Sequence, residues 1–111
     1  MPHNILVICL GNICRSPVGE ALFNHYFQEK GIEGQAESAG IGAMVGWQAA
    51  EHSQAVMAER GIDVTGHIAR QVTADMMENN DFILVMETGQ ADWLNERFPE
   101  HEHKVHRLGT W

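Results

Sequence analysis

A chain of 111 residues has room for one domain with a single core and little to spare. Its formal net charge of −8 excludes nucleic acid and anionic membrane as main partners, and any anion site must be made locally against that field. An apolar share of 44% with 20% charged residues is the composition of an ordinary soluble globular protein.

The N-terminal apolar run is only about seven residues long and lacks a basic flank, too short for a membrane span and wrong for a signal peptide. A cytoplasmic setting without membrane insertion is expected. Asn4–Leu10 reads as the first strand, and its continuous β-branched run Ile5 to Ile8 suits a strand buried on both faces. Val18–Lys30 reads as a helix with Ala21, Leu22 and Tyr26 on its buried face and Gly31 as its stop. Gln35–Ala39 is a brief second strand, and Gln48–Arg60 a helix ending before Gly61. Thr73–Glu78 is a short helix capped by Thr73 and closed by Asn79-Asn80. Asp81–Met86, Gly89–Arg97 and Val105–Leu108 follow as strand, helix and last strand. Repeats, low-complexity tracts and linkers are absent from the sequence. The alternation predicts a single α/β domain over residues 1–111, with a parallel four-stranded sheet, helices on both faces and Rossmann-like winding.

Between the first strand and the first helix lies Cys9-Leu-Gly-Asn-Ile-Cys-Arg15-Ser16-Pro17. Pro17 suits the first turn of a helix, where an N–H is not needed. The loop therefore brings unpaired backbone N–H groups and a helix N-terminus to one point at the carboxyl edge of the sheet, a geometry that binds a phosphate-like dianion. A thiol in that field has its pKa lowered and becomes a thiolate nucleophile, so Cys9 is the candidate attacker on phosphorus. Arg15 can hold two equatorial oxygens bidentately, and the Ser16 hydroxyl can donate to the Cys9 sulfur. Amides from Leu10, Gly11, Asn12, Ile13 and Cys14 supply the phosphate-binding surface. Gly11 allows close approach, and Asn12 suits a left-handed conformation that pins the loop through its side chain. The competing reading is a buried structural cysteine beside an ordinary strand–turn–helix. The Gly-Asn inside the loop and the Ser-Pro after it speak against that.

The segment Cys9 to Pro17 resembles the phosphate loop of the low-molecular-weight protein tyrosine phosphatases. The likeness continues through Glu37-Ser38-Ala39-Gly40, His67-Ile-Ala-Arg70-Gln71 and Asp81-Phe-Ile-Leu-Val-Met86, nearly the whole chain. Ser38-Ala-Gly-Ile-Gly-Ala-Met-Val-Gly46 is similar to the bacterial branch that works with tyrosine kinases of exopolysaccharide and capsule export. The resemblance implies a phosphotyrosine phosphatase I-like fold and hydrolysis of protein phosphotyrosine, with such a kinase as candidate partner. It implies that Ser38 and His67 buttress the phosphate loop through Asn12, and that Met44 and Trp47 lie in a cleft wall gripping the phenol ring. For Trp47 an exposed loop residue is the equal alternative. Arg70 is expected to make structural ion pairs. Phosphoryl transfer of this kind rests on positioning and charge stabilisation, so neither a metal nor an organic cofactor is expected.

Both cysteines, Cys9 and Cys14, lie in the loop. The resemblance implies that Cys14 traps an oxidised Cys9 as a reversible disulfide; the alternative is a small side chain packed under the loop. Two thiols cannot complete a zinc set, and His101, His103 and His106 read as a solvated turn. Trp93 and Phe98, at helical spacing, read as packing residues. Where many relatives carry Asp-Pro after the cleft-wall loop, Ala50-Glu51 stands here, which puts the start of the next helix in question.

The resemblance also implies a general acid in an Asp-Pro loop beyond the last strand, then a long helix. No Asp-Pro dipeptide occurs among the 111 residues, which end at Gly109-Thr-Trp111. The chain is therefore read as a piece of a longer enzyme, or else as a short form whose leaving-group protonation is lost at roughly 10²- to 10⁴-fold cost. Two rivals follow: a phosphotyrosine-binding module without turnover, and an arsenate reductase, which would need further cysteines downstream of Cys14.

Overall fold

The computed structural model describes residues 3–107. Four strands form one parallel sheet in the order β2-β1-β3-β4: β1 His3–Cys9, β2 Gly34–Gly40, β3 Phe82–Val85 and β4 Val105–Arg107. Four α-helices connect or flank them: α1 Arg15–Lys30, α2 Glu51–Glu59, α3 Ala74–Asn79 and α4 Thr88–Arg97, with a 3-10 helix at Pro99–Lys104. The expected α/β class, parallel pairing and helices on both faces are all present. Leu108, placed in the last strand above, lies outside the described residues.

The two-residue period of β1 divides the core. Ile5 and Val7 pack with Phe27, Ala36 and Phe23 on the α1 side. Leu6 and Ile8 pack with Met77, Ile83, Val85 and Leu94 on the α3 and α4 side. A smaller cluster of Ala49, Met57 and Val64 joins α2 to Val18 and Ala21 of α1. Because both faces of β1 are covered, its apolar run is unbroken. β1 has β2 on one side and β3 on the other, so its carboxyl end is the switch point of the sheet.

Several boundaries differ from expectation, each for a local reason. α1 begins at Arg15 rather than Val18, and Ser16 and Pro17 are buried in its first turn. Gly31 closes it in the left-handed region, at φ 65°. Leu22 and Tyr26 are 38% and 50% exposed instead of buried, and Phe27 takes the core position. The apolar residues of α1 face three directions: Phe23 and Phe27 the sheet, Val18 and Ala21 the α2 cluster, Leu22 and Tyr26 a groove bounded by Val56 and Met86. Spacing alone does not rank three such faces. α2 begins at Glu51, three residues late, because the Ala50 N–H donates to the Ile13 carbonyl at 2.6 Å and the Gln54 side chain donates to the Ala49 carbonyl at 2.8 Å. Thr73 does cap α3, its hydroxyl accepting from the Met76 N–H at 3.3 Å. His101 is buried rather than solvated. The 3-10 helix turns it inward, with Nε2 3.4 Å from a Glu78 carboxylate oxygen. Trp93 and Phe98 pack against the core, and the Arg97 guanidinium lies 4.2 Å over the Trp93 ring. No helix among the described residues is long and apolar enough to cross a membrane.

Candidate active site

The β1–α1 loop leaves the sheet at its switch point and is held from behind by its carbonyl groups. The Cys9, Leu10 and Gly11 carbonyls accept from the N–H groups of Ile41, Gly42 and Met44 at 3.1, 2.9 and 3.0 Å. The Asn12 carbonyl meets His67 Nε2 at 2.7 Å, Ile13 receives Ala50 N–H at 2.6 Å, and Cys14 receives the Ser53 hydroxyl at 3.2 Å. Successive carbonyls are thus turned away from the loop mouth. Among the described residues, no turn or loop hydrogen bond is donated by a backbone N–H between Gly11 and Cys14. These amides, with the start of α1, form the concave donor array that an anion needs.

Asn12 is the hub of the loop. It is fully buried and sits at φ 59°, in the left-handed region expected of it. Its Oδ1 accepts from the Arg70 N–H at 2.9 Å, which fixes the orientation of the amide. Its Nδ2 then donates to Ser16 Oγ at 2.8 Å and to Ser38 Oγ at 3.0 Å. Ser16 Oγ lies 2.8 Å from Cys9 Sγ. Since Ser16 already accepts from Asn12, its own hydrogen is available to the sulfur. A carbonyl only accepts, so His67 carries its hydrogen on Nε2 to hold Asn12. Ser38 and His67 therefore both touch Asn12, as the resemblance implies.

Cys9 is buried at 6% exposure and faces the loop interior, whereas Cys14 is exposed rather than packed beneath it. Arg15 is turned outward, with one guanidinium nitrogen 3.2 Å from Glu87 Oε1 and more than half of each side chain exposed. Met44 lies against Gly11, where a Cβ would stand 3.6 Å from Met44 Cγ. Leu10, Met44, Val45 and Trp47 are exposed apolar side chains on the loop and the adjoining segment. Arg70 pairs with Glu37 at 3.7 Å and donates through Nε to the Ser38 carbonyl at 3.0 Å, a structural part as expected.

Sequence reasoning missed three contributors. Gln71 donates to the Ile41 carbonyl at 2.9 Å and accepts from the Ala43 N–H at 3.0 Å, fixing the segment behind the loop. Glu87 caps α4 with a reciprocal capping box while holding Arg15. Glu20 accepts the Ser38 hydroxyl at 2.7 Å. Each contact spans 18 residues or more along the chain except the Glu87 cap, so no local pattern announces it. The Glu87-x-x-Gln90 spacing of the capping box was the one legible signal. No group of three or more His, Cys, Asp or Glu among the described residues is arranged to hold a metal ion.

Sheet and loop together define an α/β protein that presents a buried thiol in a loop with undonated backbone amides at the switch point of a parallel sheet. The chain belongs to the low molecular weight phosphotyrosine protein phosphatase family, whose pattern residues 4–111 match. It is 43% identical over its whole length to the low molecular weight protein-tyrosine-phosphatase Wzb of Escherichia coli K12, of which it covers 73%. The solved structure of the Erwinia amylovora tyrosine phosphatase AmsI is 42% identical, superposes with a TM-score of 0.87 over 100% of this chain, and is covered to 71%. A YwlE arginine phosphatase, solved as a cysteine-to-serine mutant with a phosphorylated active-site serine, is 29% identical with a TM-score of 0.90, over 94% of this chain and 68% of its own.

Proposed function

We propose that this chain hydrolyses protein phosphotyrosine through a cysteinyl-phosphate intermediate on Cys9. One contact carries the reading: Cys9 Sγ lies 2.8 Å from a Ser16 hydroxyl whose own acceptor site is occupied by Asn12. The sulfur is thus offered a hydrogen bond that it can accept both as attacker and as leaving group. The Cys9 sulfur attacks phosphorus, the P–O bond breaks with its electron pair going to the tyrosyl oxygen, which takes a proton from water, and phosphorus is held as a thioester of phosphate. Water then attacks phosphorus, the S–P bond breaks, and inorganic phosphate and the thiolate are released. The Gly11 to Ser16 amides receive the equatorial oxygens. Arg15 leaves Glu87 to clamp two of them, since an exposed ion pair costs little to break.

Depth selects the substrate: a buried sulfur in a loop whose Gly11 lies against Met44 and whose Leu10 is an exposed apolar side chain suits an aryl phosphate, and a shorter phosphoserine falls short. The polysaccharide-export likeness, supported by the identity to Wzb and AmsI, directs the reading to an autophosphorylating bacterial tyrosine kinase as substrate. A cytoplasmic setting fits a chain whose two cysteines are both free and one of which serves as nucleophile.

The test uses p-nitrophenyl phosphate, whose leaving group departs as the anion and so isolates the Cys9 step from proton donation. We expect turnover, competition by vanadate, and phosphate trapped on sulfur upon acid quench. Phosphotyrosyl peptide should be cleaved in preference to phosphoseryl and phosphoarginyl peptides. A Cys9→Ser chain that hydrolyses the aryl phosphate at the parent rate would overturn the mechanism. Phosphopeptide binding with no burst would replace it with a binding module, and thiol-coupled arsenate reduction with an arsenate reductase.

A further inference from the structure

Behind the loop, away from its mouth, lies a polar cleft of about 430 Å³ lined by Glu20, Asn24, His25, Asp63 and His67 among others; Cys9, Gly11 and Arg15 take no part in it. Glu20 stands one helical turn after Ser16 on α1 and is partly buried. Its carboxylate closes a continuous series of hydrogen bonds that runs to the nucleophile. Ser38 Oγ donates to Glu20 Oε1 at 2.7 Å; Asn12 Nδ2 donates to Ser38 Oγ at 3.0 Å and to Ser16 Oγ at 2.8 Å; Ser16 Oγ meets Cys9 Sγ at 2.8 Å.

The direction of each hydrogen follows from the chemistry of the groups. A serine hydroxyl owns one hydrogen and two lone pairs, and a carboxylate only accepts. Glu20 therefore takes the single Ser38 hydrogen and turns the Ser38 lone pairs toward Asn12. With that hydroxyl locked, Asn12 is held from both sides, by Ser38 at Nδ2 and by the Arg70 N–H at Oδ1. Ser16, accepting from Asn12, has only Cys9 left as target for its hydrogen. Without Glu20 the Ser38 hydroxyl is a free rotor in a fully buried site, and the placement of Asn12 and Ser16 loosens with it.

We propose that Glu20 is a positioning residue for the Cys9 chemistry: through Ser38 and Asn12 it orients the Ser16 hydrogen onto the sulfur. This rests on the phosphatase reading above and adds to it a residue that touches no substrate. The sign of the effect separates positioning from bare charge. By Coulomb's law alone, neutralising a nearby carboxylate makes a thiolate easier to form, so Cys9 would react faster. Positioning demands the reverse.

The experiment measures iodoacetate alkylation of Cys9 at one slightly acidic pH, alongside p-nitrophenyl phosphate turnover and thermal unfolding, in the parent chain, Glu20→Gln, Glu20→Ala, Ser38→Ala and the Glu20→Ala/Ser38→Ala double variant. Glu20→Ala should slow alkylation by at least about threefold and lower kcat more than it raises KM, whereas Glu20→Gln, whose amide oxygen still accepts the Ser38 hydrogen, should not slow it. In the Ser38→Ala background the Glu20 substitution should change alkylation by less than about 1.5-fold, because its path is already cut. Faster or unchanged alkylation in folded Glu20→Ala would overturn the proposal, as would equal effects in the two backgrounds. Should Glu20→Ala fail to fold, Glu20→Met, which also lacks the carboxyl acceptor, completes the same cycle with Ser38→Ala. A parent chain whose Cys9 is untouched by vanadate and turns nothing over would sink the phosphatase reading, whereas additivity in an active enzyme would sink the Glu20 role alone.

Discussion

Replacing Asn12 by glycine and, separately, by alanine isolates what its side chain contributes from what its backbone angle demands. Glycine accepts the observed φ of 59° and deletes three side-chain hydrogen bonds: those to Ser16 and Ser38 and the one received from Arg70. At about 1 kcal/mol for each bond, the loss is about 3 kcal/mol. The bond from His67 to the Asn12 carbonyl is made to the backbone and survives. Alanine loses the same bonds and also forces a Cβ into the left-handed region, for about 1 kcal/mol more. A small domain is stable by about 5–15 kcal/mol, so the glycine variant should stay folded while unfolding on the order of 15 °C lower. Turnover of an activated aryl phosphate should fall roughly fivefold to tenfold even in the folded glycine protein, because Ser16 no longer has its hydrogen directed at sulfur. Urea titration gives the stability difference, and steady-state kinetics at low temperature give the activity of the folded fraction. A glycine variant within about 0.5 kcal/mol of the parent would refute the hub role of Asn12. Equal stability of the glycine and alanine variants would refute the backbone part.

Gly40 faces a different constraint. A Cβ there would stand 2.5 Å from the Leu10 carbonyl oxygen and 3.1 Å from the Asn12 nitrogen, both backbone atoms of the loop, so Gly40→Ala should abolish vanadate binding measured by calorimetry. Glu87→Ala should act with opposite signs on two observables. It frees Arg15, so inorganic phosphate should bind up to roughly threefold tighter. It also removes the α4 cap, so stability should fall by about 1 kcal/mol. Weaker phosphate binding would mean that Glu87 steers Arg15 toward the anion. Asp63 accepts from the Thr65 hydroxyl at 2.6 Å and from the Thr65 N–H at 2.9 Å, in that order of effect holding its carboxyl below the ordinary 3.8. Because the folded value is depressed, its contribution to stability is complete above the unfolded value and disappears as pH falls through the folded one. Thr65→Ala should raise the Asp63 midpoint in an NMR titration toward 3.8, and an unmoved midpoint would contradict this cause.

The phosphate loop was legible because its chemistry is local. One strand end, one glycine, one asparagine and one serine within eight residues dictate amides turned inward and a hydroxyl beside a thiol, and Cys9, Asn12 and Ser16 meet as read. Ser38 and His67 were reached only through the family likeness, since 26 and 55 residues separate them from Asn12. Helix α1 shows where periodicity fails. A helix packed on a sheet, beside a second helix and along an open groove carries apolar residues nearly all round, so the choice of Leu22 and Tyr26 over Phe27 as core was a matter of tertiary placement.

The same distinction explains why the charged residues were harder to read than the thiol. Cys9 is informative wherever a strand meets a helix, but a glutamate on a helix is ordinarily a solvated face. Glu20 and Glu87 depart from that only because the sheet order β2-β1-β3 sets the loop between them, with Ser38 arriving on one flank and α4 beginning on the other. A chain with net charge −8 thus sets one carboxylate against Ser38 behind the Cys9 loop and another beside the loop's only guanidinium. Each bonds a side chain, Ser38 or Arg15, and not a backbone amide of the loop. Their cost to anion binding is set by distance and screening, whereas their benefit is made by direct hydrogen bonds. Raising ionic strength should therefore strengthen phosphate binding slightly instead of weakening it. Calorimetry between low and moderate sodium chloride checks this, and a steep loss of affinity with salt would show that long-range attraction, not the preorganised amides, holds the anion.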